Sequence, residues 1–278
     1  LGRSLDLAAH QLAGTLTGSF DSVTIHTPRT LIGSDPTWRE QFEDHRQWVR
    51  SHPDFRPNLR WNEQWAALGF LRWKPRLLLE ALHVEDRGVR DIVLYHDADA
   101  EKYPDYLRGT HRRAKYVAQR LGERDVLLFT DDLTDVRGDT KPELLSAFGI
   151  RLPDRHVPHV NATFLAVRAS DEGRAFVRTW MEMTAILDHV SPITTANTED
   201  RFTWHTHEQA TLGVLYLLTR RGDVLPNCRI RLQSLRGTRR IPPPAPMNPT
   251  WLRIQFAHRL PRIHGVVQRI AHHLSGRT

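Results

Sequence analysis

An apolar stretch that runs directly into two carboxylates restricts the fold of this chain more than any other feature. Ile92, Val93 and Leu94 lead into Asp97 and Asp99. A short apolar run between polar residues indicates a buried β-strand. Side chains at i and i+2 of an extended chain lie on one face, so both carboxylates can reach one cation. On spacing alone, the pair can equally be two solvated aspartates that open a turn.

The pattern of the chain predicts an α/β fold. The predicted strands are 22–26, 92–94, 126–130 and 157–167, and the predicted helices are 4–14, 36–50, 75–83, one beginning at 140–143, 170–187 and 208–218. Pro75 suits the first turn of a helix, because its missing N–H costs nothing there. Ser170 is expected to cap the helix that follows it. Helices that alternate with buried strands indicate helices packed on a central sheet.

Composition sets broad limits. The chain has 278 residues, of which 40% are hydrophobic and 26% charged, as in ordinary globular proteins. No apolar run approaches the roughly 20 residues of a membrane helix. Its single cysteine, Cys228, fits a reducing compartment. No secretory signal is visible at the start, and we expect a cytoplasmic protein.

The formal net charge is +7, which suits an anionic partner such as a nucleotide diphosphate, an acidic membrane surface or a nucleic acid. The excess of arginine over lysine is equally compatible with a general compositional bias that has no functional meaning.

Two further clusters can carry chemistry. His205 and His207 lie two residues apart, immediately before Glu208 at the start of a predicted helix. The histidines can ligate a metal, and Glu208 can serve at a reaction centre or only complement the helix dipole. Asp131 and Asp132 follow a predicted strand, where the second can be an acceptor-side base, although a simple turn is the favoured interpretation.

Several short motifs occur in an order that resembles the bacterial polysaccharide-type glycosyltransferases of the GT-A fold. The matching pieces span roughly residues 20–235: Gly-Phe-Leu-Arg-Trp-Lys-Pro at 69–75, Tyr-His-Asp-Ala-Asp at 95–99, Thr-Lys-Pro at 140–142, Asn-Ala-Thr-Phe at 161–164, Trp180, and His-Thr-His-Glu-Gln at 205–209. The resemblance implies a single Rossmann-like nucleotide-sugar-binding domain with a mixed central sheet, over residues 1–240.

The resemblance also assigns roles to residues. It implies that the paired aspartates hold Mn²⁺ or Mg²⁺, which bridges the two phosphates of the donor, and that Trp73 and Lys74 lie near the nucleotide. The predicted metal ligands are Asp97, Asp99, His205 and His207. The predicted donor-binding residues are Thr27, Arg29, Trp73, Lys74, Tyr95, Asp97 and Asn161. The predicted catalytic residues are Glu208 and Asp132. Glu208 stands where the family often has aspartate, which leaves its role open.

Several of these residues have a structural alternative. Lys74 can be a surface lysine, Trp73 can be part of the core, and Asn161 can satisfy backbone groups beside the sheet.

The expected activity is transfer of a sugar from a nucleotide-diphosphate donor, with a UDP-sugar as the expected donor. The acceptor would carry a hydroxyl group and be a glycan, a lipid-linked glycan or a small molecule. A haloacid-dehalogenase-like phosphotransferase also places paired aspartates after a strand, but its lysine would precede the second aspartate pair, whereas Lys141 follows it. A basic nucleic-acid-binding module is the non-enzymatic alternative. The basic residues are scattered and no recognition motif occurs, so no nucleic-acid partner is expected.

The end of the chain differs in composition from the rest. Residues 241–250 contain five prolines and are predicted to form a stiff linker. In the predicted extension 251–278, the apolar residues Phe256, Leu260, Ile263, Val267, Ile270 and Leu274 recur at helical spacing among basic residues. Such a helix packs on the catalytic domain or lies in an anionic membrane surface. The second case would place the protein on the inner membrane face. Pro261 predicts a kink.

Overall fold

The computed structural model of the chain describes residues 13, 20–26, 28–51, 69–97, 110–191, 194 and 205–234. All of them belong to one compact unit, Leu1–Thr238. Thr27, Asp99 and the predicted segments 241–250 and 251–278 lie outside the described residues, as do the side chains of Arg29 and Asp132. Within the described ranges, no helix combines the length and the apolar character that a membrane span requires.

The described strands form one mixed sheet. They are β1 Ile92–His96, β2 Val126–Asp135, β3 Pro158–Arg168 and β4 Ile230–Ser234. Their order across the sheet is β1-β3-β2-β4. Strand β3 runs antiparallel to both β1 and β2, whereas β4 runs parallel to β2. With the helices around it, this sheet gives an α/β structure, as the sequence predicts.

The described helices lie between and before these strands. They are α1 Pro28–Ser34, α2 Pro36–Ser51, α3 Trp73–Leu82, α4 Thr110–Leu121, α5 Val136–Asp139, α6 Pro142–Ala147, α7 Asp171–Ala185, α8 Leu187–Val190 and α9 Glu208–Arg221. The predicted helices 36–50, 75–83, 170–187 and 208–218 are confirmed within a few residues at their ends. Helix α4 and strand β4 were not predicted.

Helices cover both faces of the sheet. Successive side chains of a strand point to opposite faces, and on one face Leu128 and Leu165 pack with the buried residues of α3, α7 and α9. On the other face, Phe129 and Phe164 pack with Val117 of α4 and its neighbours. This two-sided burial explains why β2 begins as a continuous apolar run. Tyr95 lies on the first face, together with α3, α7 and α9.

Close packing fixes α7 on this sheet. The hydroxyl of Ser170 accepts a hydrogen bond from the backbone N of Gly173 at 3.1 Å, which confirms the predicted helix cap. A Cβ atom on Gly173 would lie 2.1 Å from the carbonyl oxygen of Arg168. Only glycine lets the first turn of α7 approach β3 so closely.

Two secondary-structure predictions are wrong. Residues 22–26 form no strand; Val23 is 37% exposed, so no burial favours the extended pairing that its alternating pattern predicts. The predicted turn at Asp131 and Asp132 is instead part of β2, which continues to Asp135 with an irregularity in register after Asp131. The long β3 supplies the backbone partners for this continuation, since Asp131 pairs with His159.

Candidate functional site

The buried face of α3 contains a lysine. Lys74 is the second residue of this helix, and it is buried together with Pro75, Leu77, Leu78 and Leu82. Burying an ammonium group among apolar side chains is costly unless the charge is paired. The structure therefore requires anionic partners for Lys74, and it provides two.

Lys74 bridges two carboxylates that are distant in sequence. Its Nζ lies 3.0 Å from Oδ2 of Asp97 and 2.7 Å from Oε1 of Glu208. The side chains of Lys74 and Glu208 are each 3% exposed, whereas that of Asp97 is 21% exposed. Three predicted site residues, from the start of α3, the end of β1 and the start of α9, thus meet at one point. Among these three described side chains, that of Asp97 is the one with substantial exposure to solvent.

Asp97 continues the pairing of β1 with β3. Its backbone N donates to the carbonyl of Thr163 at 2.8 Å, so the chain is still extended there. Tyr95 lies two residues earlier on the same face, and its hydroxyl donates to Oδ1 of Asp97. The Tyr95 ring also lies 5.8 Å from Nζ of Lys74 and 6.4 Å from the ring of Trp73, centroid to centroid. Tyr95 and Trp73 therefore form one wall beside the bridge.

Glu208 is the first residue of α9 and is held from several directions. The indole Nε1 of Trp180 donates to its backbone carbonyl at 3.0 Å. The preceding residue, His207, has φ 52° and ψ −122°, in the left-handed region that favours glycine. Within the described part of the chain, Oε2 of Glu208 is buried and has no hydrogen-bond partner. Oε1 of this carboxylate is thus paired with Lys74, whereas the described residues provide no hydrogen-bond donor for Oε2.

The charges of the bridge do not balance. Burial lowers the pKa of Lys74, but Asp97 and Glu208 together outweigh this effect and leave the pKa raised, so the amine stays protonated. Burial raises the pKa of Glu208 to about 7, against the opposing effect of Lys74. Two carboxylates face one ammonium group, and the site therefore has room for a proton or for a further cation.

The predicted histidine ligands make backbone contacts. His205 Nδ1 accepts from the backbone N of Lys141 at 3.2 Å, and its Nε2 donates to the carbonyl of His189 at 2.7 Å. In this arrangement the ring of His205 has no lone pair to offer a cation. Nδ1 of His207 donates to the carbonyl of Val190 at 2.9 Å, and burial lowers the pKa of His207 to about 4. Both rings are neutral and fix the segment that leads into α9.

Asn161 adopts the structural role that the sequence left as an alternative. It is buried on β3, and its Oδ1 accepts from the backbone N of Thr163 at 2.7 Å and from the Thr163 hydroxyl. Trp73 is partly buried, with its indole N–H hidden from solvent. Lys141 belongs to another cluster, since its Nζ donates to the carbonyl of Ser191 at 3.1 Å.

Gln209 fastens α9 to β3, a role that the sequence did not reveal. Its Oε1 accepts from the backbone N of Ala162 at 3.1 Å, and its Nε2 donates to Nδ1 of His159 at 2.9 Å. The sequence feature that could have indicated this role is the polar Glu-Gln pair at the start of an apolar helix. The hydrogen-bond partners of Gln209, however, are identified by the tertiary structure alone. Phe70 was missed for the same reason: its ring stacks on His207, 5.0 Å between centroids.

The bridge offers oxygen ligands of the kind that Mg²⁺ and Mn²⁺ prefer. Among the residues that the structure describes, no three His, Cys, Asp or Glu side chains are grouped as metal ligands. The carboxylate oxygens that would hold a cation here belong to Asp97, the more exposed of the two acids, and to Glu208, through its buried Oε2. Comparison of the chain with protein families, curated proteins and solved structures gives no match.

Proposed function

We propose that this chain is a metal-dependent glycosyltransferase, which moves a sugar from a UDP-sugar or related nucleotide-diphosphate donor to a hydroxyl-bearing acceptor. The observation that carries the proposal is the contact of Lys74 with both Asp97 and Glu208. The family resemblance implies that Lys74 and Asp97 belong to the donor site, and Glu208 is a predicted catalytic residue whose role the resemblance leaves open. Their meeting at one partly open point supports that attribution.

The donor side of the proposed site would be Asp97. It is the solvent-accessible member of the bridge, with a side chain that is 21% exposed, and Asp99 is the second ligand that the sequence predicts. A bound divalent cation supplies positive charge to the leaving diphosphate without a proton transfer. The hydroxyl of Tyr95 orients the Asp97 carboxylate through a hydrogen bond to Oδ1. Trp73, beside Tyr95, provides an aromatic surface for the donor.

The acceptor side would be Glu208. A general base works best when its pKa lies near the operating pH, and burial raises the pKa of Glu208 to about 7. The described residues leave its buried Oε2 without a hydrogen-bond partner, so this oxygen can receive the proton of an acceptor hydroxyl that enters from the exposed Asp97 side. Oε1 stays bound to Lys74 at 2.7 Å, which holds the carboxylate in place. This role requires a transfer that inverts the configuration of the sugar.

Calorimetric titration of UDP and GDP with and without Mn²⁺ tests the proposal. We expect one of the nucleotides to bind the wild type only with Mn²⁺, and Asp97→Asn to lose that binding. Asp35→Asn is the matched control, because Asp35 is an exposed aspartate that pairs with Arg76 and not with Lys74. A thermal-shift screen of nucleotide sugars then identifies the donor, since a ligand of the native state raises Tm. Equal affinity for both nucleotides in every combination would exclude the proposed function.

A further inference from the structure

Both oxygens of Asp97 already accept hydrogen bonds from the protein. Oδ1 accepts from the hydroxyl of Tyr95, and Oδ2 accepts from Nζ of Lys74 at 3.0 Å. The second donor carries a full positive charge. A cation that approaches Asp97 from the open side therefore meets a carboxylate whose negative charge is partly neutralised from the buried side.

Lys74 is confined to this position. Its side chain is 3% exposed, and its second partner, Oε1 of Glu208, is closer than Asp97, at 2.7 Å against 3.0 Å. The ammonium group cannot move into solvent without leaving Glu208 as a buried unpaired charge, which is strongly unfavourable. It can, however, weaken its contact with Asp97 and keep its contact with Glu208.

We infer that Lys74 is a resident counter-ion of the site, which competes with a divalent cation for Asp97 rather than contacting the phosphates of the donor. The inference rests on the proposed function only for the choice of Asp97 as a cation ligand. Like charges repel at short range, so Lys74 weakens the binding of a free cation. A cation that arrives with a diphosphate brings its own negative charge and meets less repulsion. Lys74 is thus a positioning residue for Asp97 and Glu208.

Two substitutions separate this inference from a simple effect of net charge. With Glu208 ionised, which sets the pH of the experiment on the alkaline side of neutral, the wild-type bridge carries one formal negative charge, from two carboxylates and one ammonium group. Glu208→Gln removes that charge and leaves Lys74 with Asp97 as its acidic partner in the bridge. The double variant Lys74→Met, Glu208→Gln restores one negative charge, on Asp97, and removes the competitor. Wild type and double variant then have the same formal charge. The double variant lacks both the competitor and the Glu208 carboxylate, and since the loss of a carboxylate can only weaken cation binding, tighter binding by the double variant reports the loss of competition for Asp97.

The experiment is a titration of each folded protein with Mn²⁺ alone, followed by the electron paramagnetic resonance signal of the free ion. We expect the double variant to bind Mn²⁺ about tenfold more tightly than the wild type, a change that corresponds to about 1.4 kcal/mol. Glu208→Gln should bind Mn²⁺ more weakly than the wild type. Adding Asp97→Asn to the double variant should abolish its gain in Mn²⁺ affinity.

Two results would overturn the inference: equal or weaker Mn²⁺ binding by the double variant, or no binding by either protein. Circular dichroism checks that each variant is folded. If the variant with methionine at position 74 is unstable, the double variant Lys74→Gln, Glu208→Gln replaces it, since both of its new side chains are also neutral. Failure of the proposed function would be recognised separately, as an absence of nucleotide binding in the presence of Mn²⁺. The order of Mn²⁺ affinities among the variants does not depend on that result.

Discussion

The ring of His207 stacks on the ring of Phe70, with centroids 5.0 Å apart and an angle of 29° between the planes. Both residues have a positive φ, 52° for His207 and 48° for Phe70. A non-glycine residue held in this region costs roughly 1–3 kcal/mol of conformational strain energy, and residues strained in this way are concentrated at functional sites. His207 directly precedes Glu208, and Phe70 lies four residues before Lys74. The stack thus joins the segment that precedes Lys74 to the segment that precedes Glu208, and each of the two segments contains a residue with a positive φ.

Substitutions of His207 should separate stacking from backbone strain. His207→Ala and His207→Gly both remove the ring, but glycine adopts a positive φ without a steric cost. We therefore expect His207→Gly to be more stable than His207→Ala by about 1 kcal/mol. Urea denaturation measures the difference in free energy of unfolding. A lower stability for the glycine variant would contradict the strained conformation.

Glu208→Gln should abolish most turnover and spare the fold. The amide keeps the shape of the side chain but cannot accept a proton as a general base, and such a base contributes typically 10²–10⁴-fold to the rate. We expect kcat to fall about 100-fold or more in an assay with the donor that the thermal-shift screen identifies. If Glu208 only complements the helix dipole, the loss would be limited to roughly 0.3–1 kcal/mol of stability. Full turnover with a slightly lower Tm would then be observed.

The stability of the fold should fall as the pH falls below neutral, in part because of His159. Burial lowers the pKa of His159 from 6.5 to about 4, and its Nδ1 already accepts from Gln209. Between these two values the unfolded chain binds a proton that the folded chain does not. The free energy of unfolding therefore decreases from pH 6.5 down to pH 4, by up to about 3 kcal/mol from this residue. Urea denaturation at several pH values measures the slope.

His159→Gln is the matched variant for this measurement. Glutamine retains a hydrogen-bond acceptor but does not titrate, so the slope of stability against pH should be smaller than in the wild type. Part of the slope should remain, because burial also lowers the pKa of His205 and of His207. An unchanged slope in His159→Gln would mean that His159 is not held neutral in the fold.

Gly173→Ala should destabilise the chain more than an ordinary helix substitution. The added methyl group would lie 2.1 Å from the backbone carbonyl of Arg168, and a backbone atom cannot move away easily. Overpacking of this kind typically costs 1–3 kcal/mol, which a lower midpoint of urea denaturation would report. Gly33→Ala is the control, since a methyl group there meets nothing within 4 Å and alanine favours the helix. Similar midpoints for the two variants would contradict the close packing.

The local features of the sequence predict the elements around the site well. The Ser170 cap, the leucines of α3 and the strand before Asp97 depend on neighbouring residues, and local patterns can indicate them. Residues 22–26 carry a strand pattern but lack the burial that would make a strand. Burial of a segment depends on contacts with distant parts of the chain, and a local sequence pattern contains no information on those contacts.

The geometry of the site could be predicted only in part. The motif order indicated that Lys74, Asp97 and Glu208 belong together, but not that Lys74 would pair with both carboxylates. Nor could the positive φ of Phe70 and His207 be foreseen, because bulky residues normally avoid it. Such conformations are imposed by tertiary contacts, and the sequence carries no local sign of them.

Strand β3 anchors both carboxylates of the bridge through adjacent residues. The carbonyl of Thr163 holds the backbone of Asp97, and the backbone N of Ala162 holds Gln209, next to Glu208. Because the two attachments lie on adjacent residues of one strand, we expect a bend or twist of the sheet to move them together. Substitutions that soften the sheet elsewhere should consequently lower the melting temperature before they alter the distance between the two carboxylates on which the proposed chemistry depends.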